Sequence, residues 1–175
     1  LNLIVKRACL LFKLSCLAML LVLAGCATQT PTISTSEPDK KKETSSPIIN
    51  VEQQLLGYFT DWEGTPYRLG GNSRNGIDCS AFVRNAYHNV FNVKVPRTTL
   101  GQATLGYSVE KNELLPGDLV LFKTSRSVRH VGVVVNGNKF MHVSEKRGVI
   151  ISALDNIYWR KKYWKAVRPD NGITI

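Results

Sequence analysis

The sequence predicts an α+β domain, and three observations carry that prediction. Apolar residues recur at helical spacing over residues 51–63 and again over 78–90. Five short β-rich segments follow between residues 119 and 167, separated by turn-forming residues. Helices first and an antiparallel sheet after them is the order of an α+β architecture. A chain of 175 residues can build one such domain with a proper core and falls short of two. Hydrophobic content of 43% and charged content of 21% are ordinary for a globular protein, so composition excludes neither an enzyme nor a binding module.

Residues 1–25 stand apart from that domain. Lys6 and Arg7 precede an apolar stretch whose clean run, Leu14 to Gly25, is 12 residues long. That length suits the apolar region of a secretory signal and is too short to cross a bilayer, which takes about 20 residues. The run closes with Leu23-Ala24-Gly25-Cys26, which resembles the lipobox of bacterial lipoproteins; an ordinary secretory signal cut nearby is the other reading. The lipobox resemblance implies cleavage before Cys26 and acylation of that cysteine, and two or more acyl chains suffice for stable attachment to a membrane. Ala27, where an Asp would mark retention, resembles a signal for passage to the outer membrane, so the expected location is that membrane, facing the periplasm.

Residues 26–50 read as a flexible tether. Of the 24 residues from Ala27 to Asn50, 12 are Ser, Thr or Pro, and no helical or strand period is present. Such a segment reaches about 80 Å fully stretched and about 25–30 Å as a coil, which suits an anchored domain that searches an immobile polymer. Net charge is +10. With Lys6, Arg7 and Lys13 set aside, 20 basic residues remain against 13 acidic ones, and Lys40, Lys41 and Lys42 balance Glu37, Asp39 and Glu43, so the excess belongs to residues 51–175. A basic domain attracts polyanions, among them nucleic acid, anionic lipid and carboxylate-rich polymers.

Within the domain, Val51, Leu55, Leu56 and Phe59 give the first helix its apolar face. A Gly-rich, Arg-bearing loop runs from Gly64 to Gly76, without a phosphate-binding or dinucleotide glycine pattern. Asp78 is a good N-cap for a second helix with Phe82, Val83, Ala86, Tyr87 and Val90 on its apolar face, which places Cys79 in the first turn. Pro116-Gly117 marks a turn into a strand from Leu119 to Phe122. Val131 to Val135 and Phe140 to Val143 read as a hairpin, followed by strands Val149 to Ser152 and Trp164 to Val167.

Cysteine usage sharpens the reading. Cys9 and Cys16 leave with the signal and Cys26 is lipidated, so Cys79 stays alone in an oxidising compartment, as a buried apolar group or a reactive one. At a helix start the free N–H groups and the macrodipole favour a thiolate, which predicts a lowered pKa, and the same N–H groups can receive an oxyanion. The charge of Asp78 opposes this. Of the three histidines, His88 lies nine residues further along the same helix, about 13 Å along its axis, out of reach of the sulfur. His130 and His142 fall on the two strands of the hairpin. A two-residue Asn136-Gly137 turn points them to opposite sides, whereas a three-residue Asn136-Gly137-Asn138 loop sets 132 against 142 and makes them same-face diagonal neighbours, about 7–8 Å apart by backbone. With that register His130 can take the proton of Cys79 while His142 orients its ring. A zinc site of one cysteine and two histidines competes, but close ligand pairs are missing; no metal and no cofactor is expected.

These residues lie in ordered blocks: Gly64-Thr65-Pro66-Tyr67-Arg68-Leu69-Gly70-Gly71, Gly76-Ile77-Asp78-Cys79-Ser80-Ala81-Phe82-Val83, Leu115-Pro116-Gly117-Asp118-Leu119-Val120 and His130-Val131-Gly132. Together, from about residue 52 to 168, they resemble the NlpC-type cell-wall cysteine peptidases. The resemblance implies a papain-like fold for residues 51–175 and hydrolysis of peptide bonds in peptidoglycan stem peptides or cross-links. It implies Cys79 as nucleophile, His130 as base, His142 as third polar residue and Tyr67 as an oxyanion donor, with Asp78 and Ser80 near substrate. Arg68, Arg74, Arg97 and Arg129 take no assignment from it, though basic groups at a cleft suit carboxylate-rich peptides. Peptidoglycan and, through the lipid anchor, the membrane are the expected partners, with no nucleic acid, and a monomer is expected. A non-catalytic lipoprotein that holds wall peptides in the same cleft is the rival reading.

Overall fold

The computed structural model describes residues 47–170. The signal segment 1–25, Cys26 and the linker up to residue 46 lie outside the described residues. Helix α1 spans Pro47–Trp62, so the last four residues of the expected linker are helical; Pro suits a first helical position because its missing N–H would have no partner there. Val51, Leu55, Tyr58 and Phe59 are buried, while Leu56, expected on the inner face, is 36% exposed. A short hairpin, β1 (Asn72–Ser73) and β2 (Gly76–Ile77), leads into α2, Cys79–Phe91. Phe82, Val83, Ala86 and Tyr87 of α2 are buried as the spacing predicts, and Asn92 ends the helix in the left-handed conformation at φ 54°. The four-residue helix α3 (Thr99–Gln102) and strand β3 (Tyr107–Val109) follow, neither foreseen from sequence.

The remaining strands are β4 (Leu119–Lys123), β5 (Arg129–Asn136), β6 (Lys139–Ser144), β7 (Gly148–Ala153) and, after helix α4 (Ile157–Lys162), β8 (Tyr163–Arg168). They form a six-stranded antiparallel sheet in the order β3-β8-β4-β5-β6-β7. Alternation along the strands gives the sheet two covered faces. Leu119, Leu121, Val131, Val133, Val135 and Met141 share a core with α1 and α2. Val120, Phe122, Val134 and Phe140 pack on the opposite side with Trp159 and Tyr163.

The hairpin register decides where the histidines go. Asn136 pairs with Lys139 across a two-residue Gly137-Asn138 turn, and a shift between Val134 and Asn136 then sets Val134 opposite Phe140 and Val133 opposite Met141. Continued, that register puts 132 opposite 142, as the three-residue loop would. It is reached by a bulge instead, and neither turn residue needs a positive φ. Gly132 lets the strands approach here: a Cβ on it would meet Phe140 Cδ2 at 2.5 Å and the Met141 carbonyl at 2.8 Å.

Candidate active site

The site is assembled from the start of α2, the parting of β5 and β6, and the loop before β1. The Asp78 side chain accepts a hydrogen bond from Ala81 N at 2.8 Å and caps α2, so Cys79 is the first residue of the helix, beside its unpaired N–H groups. Its sulfur lies 3.8 Å from Thr99 Oγ1 of α3. Cys79 is only 9% exposed. It lines a cavity of about 450 Å³ together with Tyr67, His130 and His142.

The proton inventory corrects one expectation. Burial pushes the Cys79 thiol up, with the Asp78 charge adding to the effect, and the Thr99 hydroxyl and the Val131 and Ser80 backbone only partly oppose it. The thiol therefore rests protonated, where the helix start alone predicts a thiolate. Desolvation outweighs the helix terminus because the sulfur is almost enclosed.

Both histidines point the same way, as the register requires. His130 Nε2 lies 3.0 Å from His142 Nδ1, and His142 Nε2 lies 2.9 Å from Ser152 Oγ. Trp159 of α4 stacks on the His130 ring at 5.2 Å and 19° and meets the His142 ring edge-on at 4.8 Å and 77°; Phe140 stacks on His142 at 4.8 Å. Burial pushes His130 down to about 4. Burial also lowers His142 well below the usual range, helped by the Arg147 charge and by the repulsion a proton on His130 would exert. At neutral pH both imidazoles are neutral, and His130 is a free base. His88 is exposed on α2, away from the site.

Tyr67 is half-buried at the cavity wall. Its loop is tied to β7 by Gly64 N to Val149 O at 3.0 Å and Val149 N to Thr65 O at 2.9 Å. Gly148 permits this seam: its φ is +70°, and a Cβ there would lie 2.3 Å from the Thr65 carbonyl oxygen. Burial raises the phenol, and the charges of Glu145 and Asp78, joined by Cys79 whenever it ionises, raise it further, so Tyr67 stays a neutral donor.

The resemblance sets Asp78 and Ser80 near substrate. Both are buried, and neither lines the cavity. Arg97 donates to Asp78 Oδ1 at 2.9 Å and Oδ2 at 2.6 Å and to Ser80 Oγ at 2.9 Å, Ser80 Oγ donates to Asp78 Oδ1 at 2.9 Å, and Gly70 N donates to Asp78 Oδ2 at 3.0 Å. Burial alone would raise the Asp78 carboxyl; the bonds from Arg97, Ala81 and Ser80 outweigh it and hold the pKa low. The pair thus fixes the start of α2. Of the other unassigned arginines, Arg129 lines the cavity, with Lys146 and Arg147 from the β6–β7 turn facing one acid, Glu145; the Arg74 guanidinium instead packs over Trp62 at 4.7 Å.

Thr99, Ser152 and Trp159 were not assigned a role from sequence. A four-residue helix has no period to detect, and Trp159 lies in a segment with no strand pattern. Ser152 was detectable: given the β6–β7 turn, Ser144 pairs with Gly148, His142 with Ile150 and Phe140 with Ser152, which puts 152 on the face of 142.

A nucleophile at a helix start with a neutral imidazole pair on two adjoining strands is the arrangement of a cysteine-dependent acyl-transfer enzyme on an α+β scaffold. The NlpC/P60 family profile matches residues 64–168. The chain is 42% identical over 150 residues to the "Probable endopeptidase NlpC" of Escherichia coli, covering 85% of this chain and 93% of that protein. It is 42% identical over 120 residues to the "Murein DD-endopeptidase MepS/Murein LD-carboxypeptidase" of Escherichia coli, covering 69% of this chain and 64% of that one, which is less than two thirds of its length. Among solved structures, an NlpC/P60 family protein from Bacillus cereus superposes with a TM-score of 0.61 at 27% identity, over 67% of this chain and 40% of that one. The chain belongs to the NlpC/P60 family, and its α+β fold of N-terminal helices on a six-stranded antiparallel sheet is the papain-like fold of that family.

Proposed function

We propose that the protein is a murein endopeptidase that hydrolyses peptide bonds in stem peptides or cross-links through Cys79, His130 and His142. The observation that carries this reading is the shared cavity: the sulfur, the free base and its bonded partner open onto one space, and one of the relatives named above is a murein endopeptidase.

The chemistry follows from the resting protonation states. A scissile carbonyl carbon settles over the sulfur, and His130 removes the thiol proton as the S–C bond forms. The new oxyanion is received by N–H groups at the start of α2 and by the Tyr67 hydroxyl. His130 then passes its proton to the departing amine, which leaves a thioester on Cys79. A water molecule, deprotonated by His130, cleaves that thioester and restores the thiol. His142 holds the far nitrogen of His130 and stabilises the imidazolium while it exists. Arg129, Lys146 and Arg147 at the cavity wall favour peptides rich in carboxylates.

In this proposal the domain is anchored at the outer membrane through acylated Cys26, faces the periplasm and reaches peptidoglycan on a tether that ends before α1 at Pro47. Incubating the full chain with muropeptides and weighing the products tests the reading. Cleavage that disappears in Cys79→Ala is expected; uncut substrate with the wild type, or equal cleavage by the variant, defeats it.

A further inference from the structure

Ser152 is a polar side chain of the site that the reaction steps do not use. Ser152 Oγ lies 2.9 Å from His142 Nε2, across the ring from the 3.0 Å contact between His142 Nδ1 and His130 Nε2. Strand register brings it there: β6 and β7 pair through His142↔Ile150 and Phe140↔Ser152, so Ser152 is a same-face diagonal neighbour of His142. His142 has no exposed surface, and both of its ring nitrogens have partners.

A neutral imidazole carries one N–H and one lone pair, while a serine hydroxyl can either donate or accept. Two proton arrangements therefore satisfy the chain of contacts. In one, His142 donates from Nε2 to Ser152 and accepts at Nδ1 from His130 Nε2, which leaves Nδ1 of His130 as a lone pair. In the other, Ser152 donates to His142 Nε2, His142 donates from Nδ1 to His130 Nε2, and His130 carries its own proton on Nδ1. His130 Nε2 is engaged by His142 in both, so Nδ1 is the nitrogen left for the thiol. Only the first arrangement gives it a lone pair.

We infer that Ser152 is a positioning residue: it accepts the Nε2 proton of His142 and so sets the tautomer of both histidines, extending the relay to Cys79, His130, His142 and Ser152. The inference rests on His130 being the base for Cys79. Ser152 lines the cavity, whose solvent can take its hydroxyl proton. Without Oγ, a proton on His142 Nε2 would be a buried donor with no protein partner, which is costly. The proton then moves to Nδ1, where His130 can accept it, and His130 in turn presents an N–H to the sulfur in place of a lone pair. The proton assignment of an outer partner thus decides whether the inner base exists.

The test uses the full chain, with histidines labelled with ¹⁵N, as wild type, Ser152→Ala and Ser152→Thr. Nitrogen shifts report the tautomer of each ring. The wild type and Ser152→Thr should show His142 protonated at Nε2, and Ser152→Ala should show the proton at Nδ1. On muropeptides, Ser152→Ala should lose about 10- to 100-fold in kcat with KM within about twofold, the scale of outer partners that orient a working imidazole, and Ser152→Thr should recover most of it. A wild-type His142 protonated at Nδ1 overturns the inference, as does a Ser152→Ala chain that keeps the Nε2 proton or the wild-type kcat. The wild-type spectrum decides the matter even if Ser152→Ala folds poorly. Absence of muropeptide cleavage by the wild type would instead sink the proposed function, leaving the tautomers to be read separately.

Discussion

Alternate residues of the same strand serve two different ends in this sheet. On β5, Val131, Val133 and Val135 enter an aliphatic core against α1 and α2. Their neighbour His130 is instead packed with Phe122 and Trp159 and bonded to His142, which stacks on Phe140. From its strand residues the helix side requires volume and shape. The histidine side uses burial differently: aromatic walls strip water from two titratable rings and hold them neutral. Parity along β5 therefore separates the base from the aliphatic core, while the nucleophile Cys79 lies among the buried residues of the helix side.

The largest effect should come from breaking the histidine side alone. His130→Ala removes the base, and kcat/KM on muropeptides should fall by about 10²- to 10⁴-fold while the thermal midpoint moves by only a few degrees. Parallel melting and turnover measurements check this, and a variant that loses its fold together with its activity would contradict the separation. The mirror experiment is Leu121→Ala on the helix side, where the side chain is fully buried. It should cost about 2–5 kcal/mol of stability, read from denaturant unfolding, with turnover per folded molecule unchanged. Lost turnover in the folded fraction would mean that the two faces are coupled through β4.

Sequence made the helix side far more legible than the site. Repeated apolar spacing marks Leu55, Phe82, Val83 and Tyr87 as inward, because burial on a regular element writes a period into the chain. Asp78 as a cap with Cys79 behind it was readable from residue type, whereas the shared face of His130 and His142 hung on a hairpin register that two loop lengths left open and a bulge decides. Leu56 was misread because the same period admits Tyr58 in its place, and hydropathy ranks the leucine first. The Cys79 protonation state was beyond reach: it depends on how deeply the sulfur is enclosed, which is a property of Thr99, Val131 and the packed walls rather than of the helix start. Asp78 and Ser80 show the same limit. The resemblance alone sets them near substrate, and their bonds to Arg97, 17 and 19 residues along the chain, are made by packing that no local pattern announces.

The smallest and most diagnostic change is Trp159→Leu, which opens one wall of the histidine side without touching a reacting atom. Because burial holds His130 at about 4, the base stays unprotonated through mildly acidic conditions, and the acidic limb of kcat/KM should fall near pH 4 in the wild type. Letting water reach the ring raises its pKa toward the ordinary 6.5 or so, so the limb should move upward while the rate above pH 7 changes little. The same shift carries a sign for stability. A histidine whose folded pKa is depressed binds a proton more readily when unfolded, so stability is complete above about pH 6.5 and declines as pH falls toward 4. Asp78, held low by Arg97, adds its loss only further down, below about pH 4. In Trp159→Leu the decline between pH 6.5 and 4 should flatten, because the folded protein can then accept the proton itself. An acidic limb that stays near pH 4 in the variant would show that the strand and Phe140, rather than the tryptophan, keep the imidazole pair dry.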